Sequence, residues 1–179
     1  MLVGCTGAGG GNLALSSQFE QGVTLESNFE SGTYRFDDRN HVTVVLVDGP
    51  MENPRQAVTL RMFWEPRAGR TPIDQDATNA TIHYVIFAGE GDREAGVYSG
   101  AGFVYPKDKP GGAGLSAGVW QASLIMTDRS EMFDDLLGQA KLKGTFTARR
   151  DDLATSQMID HLNRLITQRL QYPRVVQAH

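Results

Sequence analysis

Alternation with a period of two dominates the chain. In "AVTLRMFW", Val58, Leu60, Met62 and Trp64 fall on one side and Thr59, Arg61 and Phe63 on the other. That is the spacing of a β-strand, whose successive side chains point to opposite faces. "AKLKGTFTAR" repeats it. Ala140, Leu142, Phe146 and Ala148 share one face, and Lys141, Lys143, Thr145, Thr147 and Arg149 share the other, which predicts a strand with one face in water. "HVTVVLVDG" (41–49) is a β-branched apolar run closed by a turn signal, and "ATIHYVIFAG" (80–89) is another strand. "GTYRF" (32–36), "GVYSGAGFVY" (96–105) and "LSAGVWQASLIMT" (115–127) complete the candidates. The glycines of 96–105 weaken a strand but permit a bend or bulge. Polar or glycine-rich loops fall at 67–79, 90–94 and 106–114. "DRSEMFDDLLG" (128–138) predicts a short helix, capped at Asp128 or Ser130 and stopped by Gly138.

The period changes once. In "DDLATSQMIDHLNRLITQRLQYP", Ile159, Leu162, Ile166 and Leu170 recur at spacings of three and four, flanked by Met158 and Leu165. Asp151 or Asp152 can cap the start and Pro173 ends the run. This predicts an amphipathic helix over 152–171 whose apolar stripe packs on the sheet. Strands joined by short turns argue against βαβ units. The expected fold is mainly β: an antiparallel β-sandwich or partly open barrel of six to seven strands, with one C-terminal helix, as a single domain over 31–179.

Composition narrows the classes of function. The length of 179 residues suits one domain. A net charge of -4 gives no basic surface for a phosphate backbone, so no nucleic-acid partner is expected. No apolar run reaches the roughly 18 residues that span a bilayer as a helix. A lone cysteine cannot form an intramolecular disulfide.

That cysteine is Cys5, and Leu2-Val3-Gly4-Cys5 resembles the bacterial lipobox, the processing site of lipoproteins. The resemblance implies a diacylglyceryl group on the Cys5 sulfur, cleavage just before it, and acylation of the freed amine. Residues 1–5 are then a remnant of the signal and lipobox. The stretch "TGAGGGNLALSSQ" has the composition of a flexible tether, expected to extend over 6–30. Thr6 stands where Asp favours inner-membrane retention in enterobacterial lipoproteins, so the outer membrane is favoured. Only four residues, none basic, precede Cys5. The export signal implied by the motif therefore belongs to a longer reading frame or has been trimmed. The partners expected are the membrane, through the lipid, and another envelope protein.

Chemistry-bearing patterns are sparse. His83 sits on the strand face of Thr81 and Val85 with no second ligand nearby in sequence, His161 falls opposite the helix stripe and is expected in solvent, and His41 and His179 start a strand and end the chain. Asp74, Asp76 and Asn79 resemble calcium-loop spacing but lack the glycine and final Glu of an EF-hand. Glu90, Asp92 and Glu94 read as a charged turn. "GLSAG" places Ser116 in a G-x-S-x-G string, yet a loop precedes it and a strand follows, the reverse of a nucleophile elbow. "GAGGGN" and "KPGGAG" lack the flanking elements of phosphate loops.

No catalytic residue, metal or cofactor is expected, and the first reading is a lipid-anchored envelope protein with a binding or structural role. The rival is a lipocalin-like barrel in which Trp64, Phe87, Phe103 and Trp120 line a cavity for a small apolar ligand, against the alternative that these aromatics fill a solid core. Gly118-Val119-Trp120 carries the Gly-x-Trp of lipocalins, although lipocalins place it near the first strand. A third reading, an enzyme with a site built from distant loops, would be marked by His83 meeting Asp74 or Asp76 in one cleft.

Overall fold

The computed structural model describes residues 9–20, 22–63, 78–89 and 93–173. Ten strands and one helix follow in order: β1 (Gly10–Ser17), β2 (Thr24–Phe29), β3 (Ser31–Phe36), β4 (His41–Asp48), β5 (Gln56–Phe63), β6 (Ala80–Ala88), β7 (Glu94–Gly102), β8 (Val104–Pro106), β9 (Gly114–Arg129), β10 (Ala140–Arg150) and α1 (Asp152–Leu170). Fewer strands were expected because β1 and β2 lie in the supposed tether, and the 96–105 run breaks at Phe103 into β7 and β8. The tether over 6–30 is corrected to these two strands for its described part, while residues 1–8, Cys5 included, lie outside the described residues. The helix expected over 128–138 is also corrected. That stretch holds the end of β9 and then a turn-rich loop at 130–139.

The sheet closes on itself. Antiparallel pairing runs β3–β4–β5–β6–β7–β9–β10, and β10 returns to β3 through a short parallel contact at Arg149↔Thr33 and Arg150↔Tyr34. The β1–β2 hairpin occupies the rest of that β10 edge, pairing from Gly10↔Thr147 to Ser17↔Ala140. Closure pairs both edges of the ring strands, leaving β2 and β8 as the short strands with a single neighbour. Three backbones crowd at the seam. A Cβ on Gly32 would lie 2.6 Å from the Thr147 carbonyl oxygen, and one on Gly11 would lie 2.5 Å from that of Thr145. Glycine is used here for close approach, not for slack.

Alternating side chains fill the barrel. Tyr34, Tyr84, Tyr98, Phe29 and Leu142 are among the largest fully buried ones, as expected where about eight strands leave an interior just wide enough for side chains or one small ligand. The opposite face of β4–β7 carries Val45, Val47, Ala57, Val85, Phe87 and Val97, and α1 covers it with Ile159, Leu162, Ile166 and Leu170. The predicted stripe is thus the packed face. Asp151 caps α1 by accepting from the Ala154 N–H at 2.9 Å, and Gln171 closes it in a left-handed conformation. His161 is corrected from a solvated position: it is half-buried, and its Nε2 is enclosed without a hydrogen-bond partner among the described residues.

Thr59 on β5 is fully buried, and its hydroxyl has no partner among the described residues. A buried hydroxyl without a bond costs roughly 1–3 kcal/mol. Thr59→Val keeps the shape and removes that cost, so the melting temperature is expected to rise by about 2–12 °C, measurable by calorimetry.

Candidate functional site

The two ends of the barrel differ. At one end the chain is tied down by polar bonds: the Tyr34 hydroxyl donates to the Gly112 carbonyl, and Arg150 donates to Gly111 O at 2.6 Å. At the other end, residues 130–139 fold across the opening between β9 and β10. Phe133 and Leu137 of this segment are 6% and 4% exposed, inserted into the mouth, whereas Met132 and Leu136 stand out in solvent. The Phe133 ring rests on β7 at Gly96, where a Cβ would come within 2.3 Å of it. A groove of about 360 Å³ runs beside the segment, lined by Val23, Leu25, Ile86, Tyr98, Leu136 and Leu137 among others. It lies in the size range of small-molecule sites.

Asp135 holds the segment down. Its Oδ1 accepts from the Tyr98 hydroxyl at 2.7 Å and from the Leu137 and Gly138 N–H groups at 3.1 and 2.9 Å. Burial pushes the Asp135 carboxyl up, but these bonds and the nearby Arg129 charge outweigh it and hold the pKa below its ordinary 3.8. Burial, and then the Asp135 carboxylate, push the Tyr98 hydroxyl well up, so it stays a donor. A lowered carboxylate pKa contributes stability above the unfolded-state value and loses it as pH falls through the folded one. The segment should therefore stay docked at neutral pH and loosen only below about pH 4. Hydrogen exchange of the 130–139 amides at pH 7 and pH 3 checks this. Gly96→Ala should loosen the same amides at neutral pH, because Phe133 must move, at a cost of about 1–3 kcal/mol.

Behind the mouth lies a polar cluster inside the barrel. Ser27 Oγ sits 2.7 Å from the Tyr84 hydroxyl and donates to Gln56 Oε1 at 2.6 Å, and Tyr84 also donates to Gln56 Oε1. Burial pushes the Tyr84 hydroxyl well above its ordinary value, so it stays protonated and takes part as a neutral hydrogen-bonding group.

The four aromatics expected around a cavity do not converge. Phe87 is buried under α1, outside the barrel wall. Phe103 is half-buried at the β7–β8 break, its carbonyl accepting from the Trp120 N–H. Trp120 is 75% exposed, and Trp64 lies outside the described residues. A bulge explains Trp120. Leu142 pairs with Ala122 but Gly144 with Val119, so Trp120 and Gln121 together oppose Lys143 and the inward phase shifts by one residue. The tyrosines that do face inward are Tyr34, Tyr84 and Tyr98, and in the sequence Tyr84 and Tyr98 are legible only as alternation partners of Ile82 and Gly100.

His83 faces outward, its Nδ1 2.9 Å from Ser99 Oγ. Asp74 and Asp76 lie outside the described residues. Among the described residues, no three of His, Cys, Asp and Glu gather where a metal could bind, and no helix is long and apolar enough to cross a membrane.

Fold and groove together define a closed, mainly antiparallel barrel with an apolar, loop-covered mouth. No protein-family model matches the chain, and no curated protein or solved structure does.

Proposed function

We propose that this is a non-catalytic binding protein that takes a small apolar ligand at the mouth of its barrel. The apolar groove along residues 132–137 carries this reading. Its floor is made by inward-facing residues of β2, β6 and β7, and its rim includes Val23 and Leu136, 48% and 68% exposed. Large apolar side chains standing in water beside a groove mark a contact site for an apolar partner. Fluorescence titration with N-phenyl-1-naphthylamine tests it. Saturable binding is expected, weakened by Val23→Asp and Leu136→Asp, exposed positions where a charge leaves the fold intact. Absence of saturable binding in the wild-type chain overturns the reading.

A second reading is compatible with the first: attachment to a bacterial membrane through lipid on Cys5. The Leu2-Val3-Gly4-Cys5 string supports it. Only residues 6–9 separate Cys5 from β1, at most about 14 Å of chain. β1 runs from the tied end of the barrel toward the mouth, so an anchored molecule would open its groove away from the bilayer. Intact mass of the protein from a bacterial membrane fraction decides it. A mass matching a lipidated Cys5 at the N-terminus is expected, and an unlipidated Cys5 overturns it.

A further inference from the structure

We infer that the ligand is an anionic amphiphile, its apolar chain along residues 132–137 and its charged head among Arg93, Arg129 and Arg169. This rests on the reading that the mouth holds an apolar ligand, and it adds the chemistry of the head. A second groove, of about 830 Å³, lies between the start of β7, the end of β9 and the C-terminal end of α1, and these three arginines line it. Glu94 and Met132 line both grooves, so the two run into one another across the start of the 130–139 segment.

The arginines are short of partners. Among the described residues Arg93 has neither an ion pair nor a hydrogen bond, and Arg169 Nε is enclosed with no acceptor. Among the described residues the Arg129 guanidinium donates to the Phe133 carbonyl, at 3.1 Å. Two carboxylates, Glu94 and Glu131, line the same groove, and neither forms an ion pair with these arginines. The Glu94 carboxylate lies instead against the β6–β7 turn, where a Cβ on Gly89 would meet its Oε1 at 2.8 Å. An enclosed guanidinium nitrogen without an acceptor is costly. A carboxylate or phosphate group entering the groove meets the three arginines that line it, and guanidinium geometry suits either. Arg129 also links head to chain. Its bond to Phe133 O grips the segment that covers the apolar groove, so an anion on Arg129 competes for the group that holds the segment shut.

Calorimetric titration with dodecanoate, dodecanol and inorganic phosphate tests the inference, with the amphiphiles below micelle-forming concentrations. Dodecanoate should bind at least about tenfold more tightly than dodecanol, the effect of one charge-assisted hydrogen bond, and far more tightly than phosphate. In Arg93→Gln and Arg169→Gln that advantage should shrink toward the dodecanol value, with melting curves checking the fold. Equal affinities for dodecanoate and dodecanol overturn the inference and leave the apolar-ligand reading standing. Phosphate binding as tightly as dodecanoate also overturns it, leaving a simple anion site. Failure of both dodecyl compounds to bind overturns the two together.

Discussion

Gly11→Val is expected to lower the stability of the barrel by at least about 3 kcal/mol, a fall in melting temperature of roughly 6–12 °C. A Cβ at this position would lie 2.5 Å from the Thr145 carbonyl oxygen and 2.6 Å from the Phe146 Cα. Neither contact is with the free end of a side chain, so β1 and β10 must separate. Separation breaks the ladder that runs from Gly10↔Thr147 to Ser17↔Ala140 and exposes the inward-facing Leu13 and Leu15. Gly114→Ala is the control, since the nearest atom to its Cβ would be 3.9 Å away. Thermal unfolding of the two variants separates a packing requirement at the seam from a general intolerance of lost glycine. Equal, small shifts would mean that β1 contributes little to closing the barrel.

Leu162→Ala is expected to cost about 3–5 kcal/mol. Leu162 is fully buried, in the middle of the helix stripe, between α1 and the outer faces of β4–β7. The cost combines lost transfer energy with a cavity that the rigid barrel wall cannot fill by collapsing. Leu153→Ala supplies the comparison. Leu153 is 70% exposed on the first turn of the same helix, and its truncation should shift stability by no more than about 0.5 kcal/mol. Chemical denaturation read by circular dichroism checks both. A small effect at Leu162 would show that the helix is not fastened to the barrel by its stripe.

Those two positions mark the limits of what was legible. The helix could be read from residue types alone. Ile159, Leu162, Ile166 and Leu170 recur at the helical period, and Asp151 and Pro173 bound the run, because the hydrogen bonds of a helix are local. The alternation in β10 was equally plain. Gly9, Gly10 and Gly11 were not, because glycine serves a slack tether and a crowded backbone crossing equally well, and only the neighbours in space distinguish them. Trp120 was missed too. The bulge lies against Lys143 of β10, and its mark in the sequence is the slip from Leu115, Ala117 and Val119 to Ala122 and Leu124, which leaves Trp120 on the outer face.

The candidate site was less legible still. Asp128, Ser130 and Gly138 carry start and stop signals for a helix, yet Phe133 and Leu137 enter the barrel mouth and Asp135 takes the Leu137 and Gly138 N–H groups that a helix would have used. The three arginines are 93, 129 and 169, about forty residues apart each time, and only closure of the barrel with α1 laid back along it brings them to one groove. The chain alone determined the strand-rich class, the C-terminal helix and the face by which it packs, since these follow from periodicities that each segment expresses by itself. Tertiary structure decided the closed ring, the covered mouth and the meeting of apolar groove with arginines, because each depends on contacts between residues far apart in sequence.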